Sequence, residues 1–337
     1  VKTIDIYGMC NPIFDLQAEV SHEKLGELGY AAGGMFLIDH EAQRALVPQV
    51  YDHIVNTAAG GSGANTIIMA AMLGAKCAYT GHLGADEHGR LYRQGMLDVG
   101  IRPNLGESDG DTGICVVLIT PDAERTMITF LGLAQSLVAE DVNTEDLAAS
   151  KYLYVTGYLW DTEGQKAAVK RAMAEANAHG VKVALSLSDP FCVNRHRDDF
   201  LALIDEHVDV LFGNDAEVLA LTGATDVDDA ARQLATRCGL VAVTVGKSGS
   251  ILATPDDLVR IPVYKVEAVD STGAGDAYAA GILFGLAEEL PLSAAGRIAS
   301  YVAGKVVGKL GPRLDTVDHD AIRLLKNGMD FDEIPVA

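Results

Sequence analysis

Asp270-Ser271-Thr272-Gly273-Ala274-Gly275-Asp276 is the stretch that decides how this chain reads. Residues 263–269 before it read as a strand. Residues 277–289 after it read as a helix carrying small and apolar side chains such as Ala277, Ala280, Leu283 and Phe284. The heptapeptide is then a strand-to-helix turn whose last residues open the helix. Amides at the start of a helix lack intrahelical partners, so those of Gly273, Ala274, Gly275 and Asp276 form an anion site. The two glycines leave no Cβ in the way and let the backbone fold tightly around a charged oxygen group. Asp276 adds a carboxylate at the mouth, which the helix start is expected to keep ionised. Donors for a developing negative charge beside a base for a hydroxyl proton are the two parts a phosphoryl transfer needs. A glycine-rich turn with an Asp that merely favours the helix start reads the same way in isolation, so the rest of the chain must arbitrate.

A second glycine turn, Ala59-Gly60-Gly61-Ser62-Gly63-Ala64-Asn65, opens another small-residue helix over 64–73. The dinucleotide fingerprint GxGxxG is not met, because Thr66 follows where its last glycine belongs. Asn65 can both donate and accept, which suits a sugar diol; a helix cap with close packing accounts for the turn equally. The first strand reads over 3–9, and Asn11 and Asp15 follow its C-terminal end, where open α/β sheets bind ligands. An Asx-turn and a solvated carboxylate would also explain that pair.

Further strands read over 16–20, 35–38 and 75–81, and a helix over 86–99. Residues 113–120 and 125–131 read as a hairpin turning at 121–124, with no helix between its strands. That break in the alternation, with 15–20 and 35–48, predicts a small separate sheet over the main domain. Arg125 on the hairpin is either a surface charge or a cation brought over phosphates when a lid closes. From residue 151 strands and helices alternate regularly, which implies a mostly parallel sheet with helices on both faces. Thr162-x-x-Gln165 reads as a capping box for the helix 163–178.

Asn214 and Glu217 stand three apart in the first turn of a helix, on one face, at the end of a strand. They can hold a hydrated Mg²⁺, or serve as an N-cap and a first-turn acid. Thr244 to Gly249 resembles the end of a P-loop, but Val241 stands where its first glycine is required. That excludes a P-loop NTPase and leaves Thr244 with nearby amides as phosphate holders. Small residues recur every four in the last long helix (Gly296, Ser300, Gly304, Gly308), a stripe suited to tight packing. Residues 331–337 read as a tail.

Composition narrows the function classes. The 337 residues can hold one large α/β domain or two ordinary ones, and 49% hydrophobic content supports a large core. A net charge of −21 argues against binding a nucleic acid polymer, not against a nucleotide. Five scattered cysteines without a CxxC pair suggest neither a disulfide framework nor zinc. No HExxH and no GxSxG occurs, so metallo- and serine hydrolases lack support. No apolar run reaches membrane-span length, and the expectation is a soluble, cytoplasmic protein that does not bind membranes.

The two glycine turns together carry a specific match. The chain resembles the PfkB (ribokinase-like) carbohydrate kinase family over almost its whole length, with Gly60 to Asn65 as the first signature and Asp270 to Asp276 as the second. Segments Gly8 to Asp15, Ser186 to Phe191 and Asp209 to Glu217 resemble the family's adenosine kinase branch. The resemblance implies one ribokinase-like α/β domain over 1–337 with a mostly parallel central sheet, helices on both faces, and a small β lid from about 15–48 and 112–131. It implies Asp276 as the base, and the amides of Gly273, Ala274 and Gly275 as the anion hole. Asn11, Asp15, Gly61 and Asn65 would hold ribose hydroxyls, with Gly60 also substrate-binding and Arg125 as a lid arginine. Asn214 and Glu217 would act on Mg²⁺ through water; Asn214, Thr244 and Gly246 on ATP. K⁺ would sit near Asp270 and Thr272.

The resemblance departs from the pattern at the base slot. An aromatic residue is expected two positions after Gly157, where Leu159 stands, with Ile13 and Phe191 as the remaining apolar walls. The implied activity is ATP-dependent phosphorylation of a nucleoside 5′-hydroxyl, adenosine to AMP foremost. A ribokinase- or fructokinase-like sugar kinase, a guanosine, inosine or cytidine kinase, and a ligand sensor without catalysis are the alternatives. Monomer and homodimer are both compatible with the sequence.

Overall fold

A computed structural model describes residues 2–122 and 124–334. Its strands, in chain order, are β1 (Ile4–Met9), β2 (Ile13–Glu19), β3 (Met35–Leu37), β4 (Ile54–Gly60), β5 (Cys77–Gly84), β6 (Arg102–Ser108) and β7 (Gly113–Ile119). They continue as β8 (Arg125–Phe130), β9 (Ser150–Thr156), β10 (Lys182–Ser186), β11 (Val210–Asn214), β12 (Leu240–Thr244), β13 (Ser250–Ala253) and β14 (Leu258–Ile261). The main sheet runs in the order β14-β13-β12-β11-β10-β9-β1-β5-β6. From β12 to β6 every pairing is parallel, and β13 and β14 close one edge as an antiparallel meander.

Alternation along these strands feeds two apolar layers. Tyr154, Ala184, Phe212 and Ala242 face the helices Ser62–Leu73, Ala274–Ala287 and Leu292–Val307. Leu153, Val183, Leu211 and Val241 face the helices Glu163–Ala178, Pro190–Glu206 and Val227–Cys238. A parallel sheet covered on both faces needs apolar residues at nearly every position, which is what these strands supply.

The second sheet, β3-β8-β7-β2-β4, stands apart from the main one. It contains the expected hairpin of β7 and β8, paired antiparallel. Ala123, in the expected turn, lies outside the described residues, as do 335–337 of the expected tail. The small sheet also takes in β4, to whose first residues the sequence reading assigned no element, and which pairs antiparallel with β2. Residues 40–48, expected within the small sheet, instead form most of the helix His40–Val50, with Asp39 as its N-cap. Phe331 packs edge-on against Tyr264, so the start of the expected tail is fixed to the body.

Residues 263–269, expected as a strand, are not one. They run along the helix Leu292–Val307 as a strap. Ser300 Oγ accepts from the Tyr264 amide at 3.1 Å and donates to the Pro262 carbonyl at 2.7 Å. The Val307 carbonyl accepts from the amides of Val269 and Asp270 at 2.8 and 3.1 Å. A Cβ on Gly304 would lie 2.7 Å from the Tyr264 carbonyl, so the strap fits only over a small residue. The backbone polar groups that a sheet neighbour would have satisfied are satisfied by this helix instead.

Candidate active site

The two glycine turns meet. Gly61 (φ 91°) and Gly273 (φ 76°) are the N-caps of helices Ser62–Leu73 and Ala274–Ala287, both in the left-handed half of backbone space that favours glycine. Ser62 Oγ donates to Asp276 Oδ1 at 2.6 Å and Asn65 Nδ2 to Asp276 Oδ2 at 3.1 Å. Both helix starts open into a cleft of about 1030 Å³ lying between the ends of the parallel strands and the small sheet. Asn11, Asp15, Asn65, Asn214, Thr244 and Asp276 all stand in its wall.

Among the described residues, the amides of Gly273, Gly275 and Asp276 have no hydrogen-bond partner. The Ala274 amide does: it donates to the Ser271 carbonyl at 3.2 Å, so it does not belong to the free set expected from sequence. A Cβ on Gly275 would meet nothing within 4 Å, which makes the turn an open cradle at that point. Asp276 was expected to be held ionised by the helix start. Burial outweighs its hydrogen bonds from Ser62 and Asn65 and the nearby Arg313, and its carboxyl is pushed up to about 6. At neutral pH it is still mostly a carboxylate, and a better proton acceptor than an exposed Asp.

Asp15 is buried on β2, and burial likewise raises it to about 6 against the opposing charges of Arg313 and Arg125. Asn11 is fixed by a residue that sequence reading placed elsewhere. Gln165 does not reach back to the Thr162 amide as a capping box would. Its Nε2 donates to Asn11 Oδ1 at 2.6 Å and to the Ala134 carbonyl at 3.0 Å. Ile13, Gly61 and Phe191 stand in the cleft wall. Gly60 stands behind it, its Cα against the Asp15 carboxylate.

Several expected contacts fall differently. Leu159 is fully buried in the core with Trp160, and Tyr158 lines the cleft in its place. In the short 3-10 turn Gly157–Trp160 the side chain two positions after Gly157 points into the core layer rather than the cleft. Thr244 is in the wall but Gly246, beyond the end of β12, is not. Arg125, at the start of β8, does stand in the cleft wall, where it is buried and donates from Nη1 to Asp270 Oδ2 at 2.7 Å. Asp270 Oδ2 also accepts from the Gly311 amide at 3.0 Å, and Oδ1 from the Thr272 amide at 2.8 Å. Burial pushes Asp270 up, but these hydrogen bonds more than offset it and its pKa is lowered overall. A carboxylate so occupied is poorly placed to ligate the K⁺ expected beside it.

Asn214 and Glu217 form a reciprocal cap: Asn214 Oδ1 accepts from the Glu217 amide at 2.9 Å, and Glu217 Oε2 from the Asn214 amide at 3.0 Å. The capping role and the cleft position coexist. Glu217 is buried, and burial pushes it up to about 7, with Asp189 and Asp215 adding to the rise against the Asn214 amide. A buried carboxylate at a cleft wall fits a divalent cation nearby, which would favour its charged form. No group of three or more His, Cys, Asp or Glu side chains able to hold a metal occurs among the described residues. A cation here would therefore depend on water and on phosphate oxygens, as Mg²⁺ commonly does.

Arg313 also belongs to this site, although no sequence motif marks it. It donates from Nη1 to Asn65 Oδ1 at 2.9 Å and to the Ala59 carbonyl. A lone arginine in a Gly-Pro loop near the C-terminus carries no pattern that would have marked it.

An open amide cradle, a facing carboxylate and polar groups for an alcohol in one cleft define a phosphotransferase that acts on a hydroxyl group. The family model for pfkB family carbohydrate kinases matches residues 29–319, and the chain belongs to that family. The fold is ribokinase-like, as in the solved structure of adenosine kinase from Sinorhizobium meliloti. That protein is 36% identical, with a TM-score of 0.86 over 96% of this chain and 99% of that one. A probable sugar kinase protein from Rhizobium etli CFN 42 is 31% identical, also with a TM-score of 0.86, over 96% and 98%. A 5-dehydro-2-deoxygluconokinase from Bacillus licheniformis is 26% identical over 84% of this chain and 91% of its own. The family implies ATP and a divalent cation as requirements of the reaction. Among the described residues, no helix is long and apolar enough to cross a membrane.

Proposed function

We propose that the chain phosphorylates the 5′-hydroxyl of a nucleoside, adenosine foremost, using ATP and Mg²⁺. The carrying observation is the Asp276 carboxylate held by two donors beside the unpartnered amides of its own helix start. In this reading Asn11 and Asp15 hold the ribose hydroxyls and orient the 5′-oxygen toward Asp276. Asp276 takes the hydroxyl proton as that oxygen attacks the terminal phosphorus of ATP. The Gly273, Gly275 and Asp276 amides accept the negative charge on the transferred group, and ADP leaves with the bridging oxygen. Thr244 and Asn214 sit where the rest of the triphosphate would run. Glu217 would hold Mg²⁺ through water, and the ion would supply neutralisation of phosphate charge.

The apolar end of the cleft favours a nucleoside over a free sugar. Ile13, Met35, Leu37, Met127 and Phe191 line it, with Met35, Leu37 and Phe191 about 70% exposed. A flat heterocycle would cover that surface, and a free sugar would leave it wet. The chain reads as one domain, with the small sheet as a lid built from 13–19, 35–37, 54–60 and 113–130. Closure would exclude water and limit idle ATP hydrolysis. Similarity to adenosine kinase supports the nucleoside reading; the sugar kinases among the relatives make the free-sugar reading the competitor.

A panel of adenosine, guanosine, inosine, cytidine, ribose and fructose, each with ATP and Mg²⁺, read by ADP release and product mass, tests this. The expected result is the highest kcat/KM with adenosine and a 5′-phosphate product. Turnover confined to ribose or fructose would overturn the nucleoside reading. ADP release with none of the six would overturn phosphorylation of this class of alcohol.

A further inference from the structure

We infer that Arg313 is a positioning residue for phosphoryl transfer, fixing Asn65 against Asp276 and countering the charges of Asp276 and Asp15 from behind the cleft wall. The inference rests on the reading of Asp276 as the base. Arg313 is mostly buried and is not itself in the wall of the cleft, although its neighbour Pro312 is. Its Nη1 donates to Asn65 Oδ1 at 2.9 Å, and Asn65 Nδ2 donates to Asp276 Oδ2 at 3.1 Å. An amide side chain can flip, and only one orientation offers its NH₂ to the carboxylate. An obligate donor on the other side selects that orientation, because a guanidinium cannot accept. The second Arg313 bond, to the Ala59 carbonyl, ties the guanidinium to the strand that leads into the first glycine turn. Pro312 meanwhile abuts the second turn, since a Cβ on Gly273 would lie 2.2 Å from its carbonyl oxygen. One short loop thus braces both helix starts.

The electrostatic part is equally specific. The groups facing Asp276 are Ser62 and Asn65 from the first glycine-turn helix, Cys10 after β1, Tyr154 on β9, Tyr158 after it, and Arg313. Burial pushes the Cys10 thiol up to about 11 and raises both phenols, so all three stay neutral across the working range. Among the described residues, Arg313 is the cation acting on Asp276, and it faces Asp15 as well. Burial pulls the Arg313 pKa down, opposed by those two carboxylates, and guanidinium chemistry keeps it charged.

The test compares Arg313→Met, Arg313→Lys and Asn65→Ala, singly and combined, in the whole protein with adenosine, ATP and Mg²⁺. Arg313→Met should lower kcat by roughly 10- to 100-fold through misplacement of the base. It should also move the acid limb of the kcat profile up by about one pH unit, because a neighbouring cation is gone. Arg313→Lys should keep the limb within about 0.3 unit of wild type while kcat stays reduced, since an ammonium is a point charge without the planar fork. The double variant Asn65→Ala/Arg313→Met should lose little more than the worse single variant. Wild-type kcat in Arg313→Met, a lower kcat with an unmoved limb, or additive losses would each overturn the inference. If Arg313→Met does not fold, the same cycle run with Arg313→Lys decides, and additive losses there overturn it. A wild-type protein inactive on every alcohol in the panel would count against the proposed function instead.

Discussion

Gly275→Ala should make the protein slightly more stable and nearly inactive. Gly275 is the second residue of the helix Ala274–Ala287, and a Cβ built there meets no heavy atom within 4 Å. Its φ is not positive, so alanine enters without backbone strain. Alanine is favoured over glycine inside helices by about 0.8–1 kcal/mol. At an exposed first turn about half of that is realistic, which is a rise in Tm of roughly 1–2 °C for a chain of this size. The same methyl group projects into the cradle from which the Gly275 and Asp276 amides would hold the transferred phosphoryl group. Displacing the group from such donors costs about 10²- to 10³-fold in kcat. Thermal melts read by circular dichroism and a coupled ADP-release assay measure the two effects independently. Gly273→Ala is the control for ordinary damage. Its φ of 76° and a Cβ 2.2 Å from the Pro312 carbonyl oxygen predict lost stability along with lost activity. A Gly275→Ala enzyme with kcat within twofold of wild type would refute the cradle as the seat of phosphoryl transfer.

Activity and stability should respond to pH in opposite senses. Asp276 titrates at about 6 in the folded chain against a reference value of 3.8. Activity, followed by initial rates in a pH series, should therefore fall as pH drops through about 6 and the base is protonated. Between those two values the native chain retains protons on Asp15 and Asp276 that the unfolded chain has released. The stability these two groups contribute is thus greatest below the lower value and declines as pH rises through about 6, measurable by urea unfolding of wild type against Asp276→Asn. Gln165→Leu would leave Asn11 Oδ1 and the Ala134 carbonyl without their donor. The alcohol's KM should rise roughly tenfold with a smaller change in kcat, since Asn11 is a ground-state contact in this reading. Glu217→Gln removes the buried charge and should raise the Mg²⁺ concentration needed for half-maximal rate several-fold, read by Mg²⁺ titration at saturating ATP.

The sequence revealed those parts whose chemistry is local. Two glycines before an apolar small-residue helix announce a helix start and its free amides, while the grouping of Asp15, Asn65 and Asp276 in one cleft came from the resemblance to the PfkB family that the two turns carry. The parallel sheet followed from the alternation after residue 151. What was not legible depended on partners distant in the chain. Residues 263–269 carry strand-like composition, yet their hydrogen bonds go to the helix Leu292–Val307. Gln165 satisfies a capping pattern three residues after Thr162, yet its amide is drawn 154 positions away to Asn11. Counting two positions from Gly157 points to Leu159, but a 3-10 turn brings the neighbouring tyrosine into the cleft instead. Arg313 and Asn65 are 248 positions apart, and nothing near either one signals the other.

The small-residue stripe of the last long helix now has a mechanical meaning. Gly296 sits under Ile261, Ser300 and Gly304 under Tyr264, and Gly308 near Val266, so the stripe is a mould in which the segment leading to Asp270 is cast. Enlarging one of these residues would lift that segment and carry the phosphate cradle with it. Variants selected for altered ATP affinity should therefore include substitutions at 300, 304 and 308 that touch neither substrate. Tuning of this enzyme can proceed from the back of a helix that never meets the reaction.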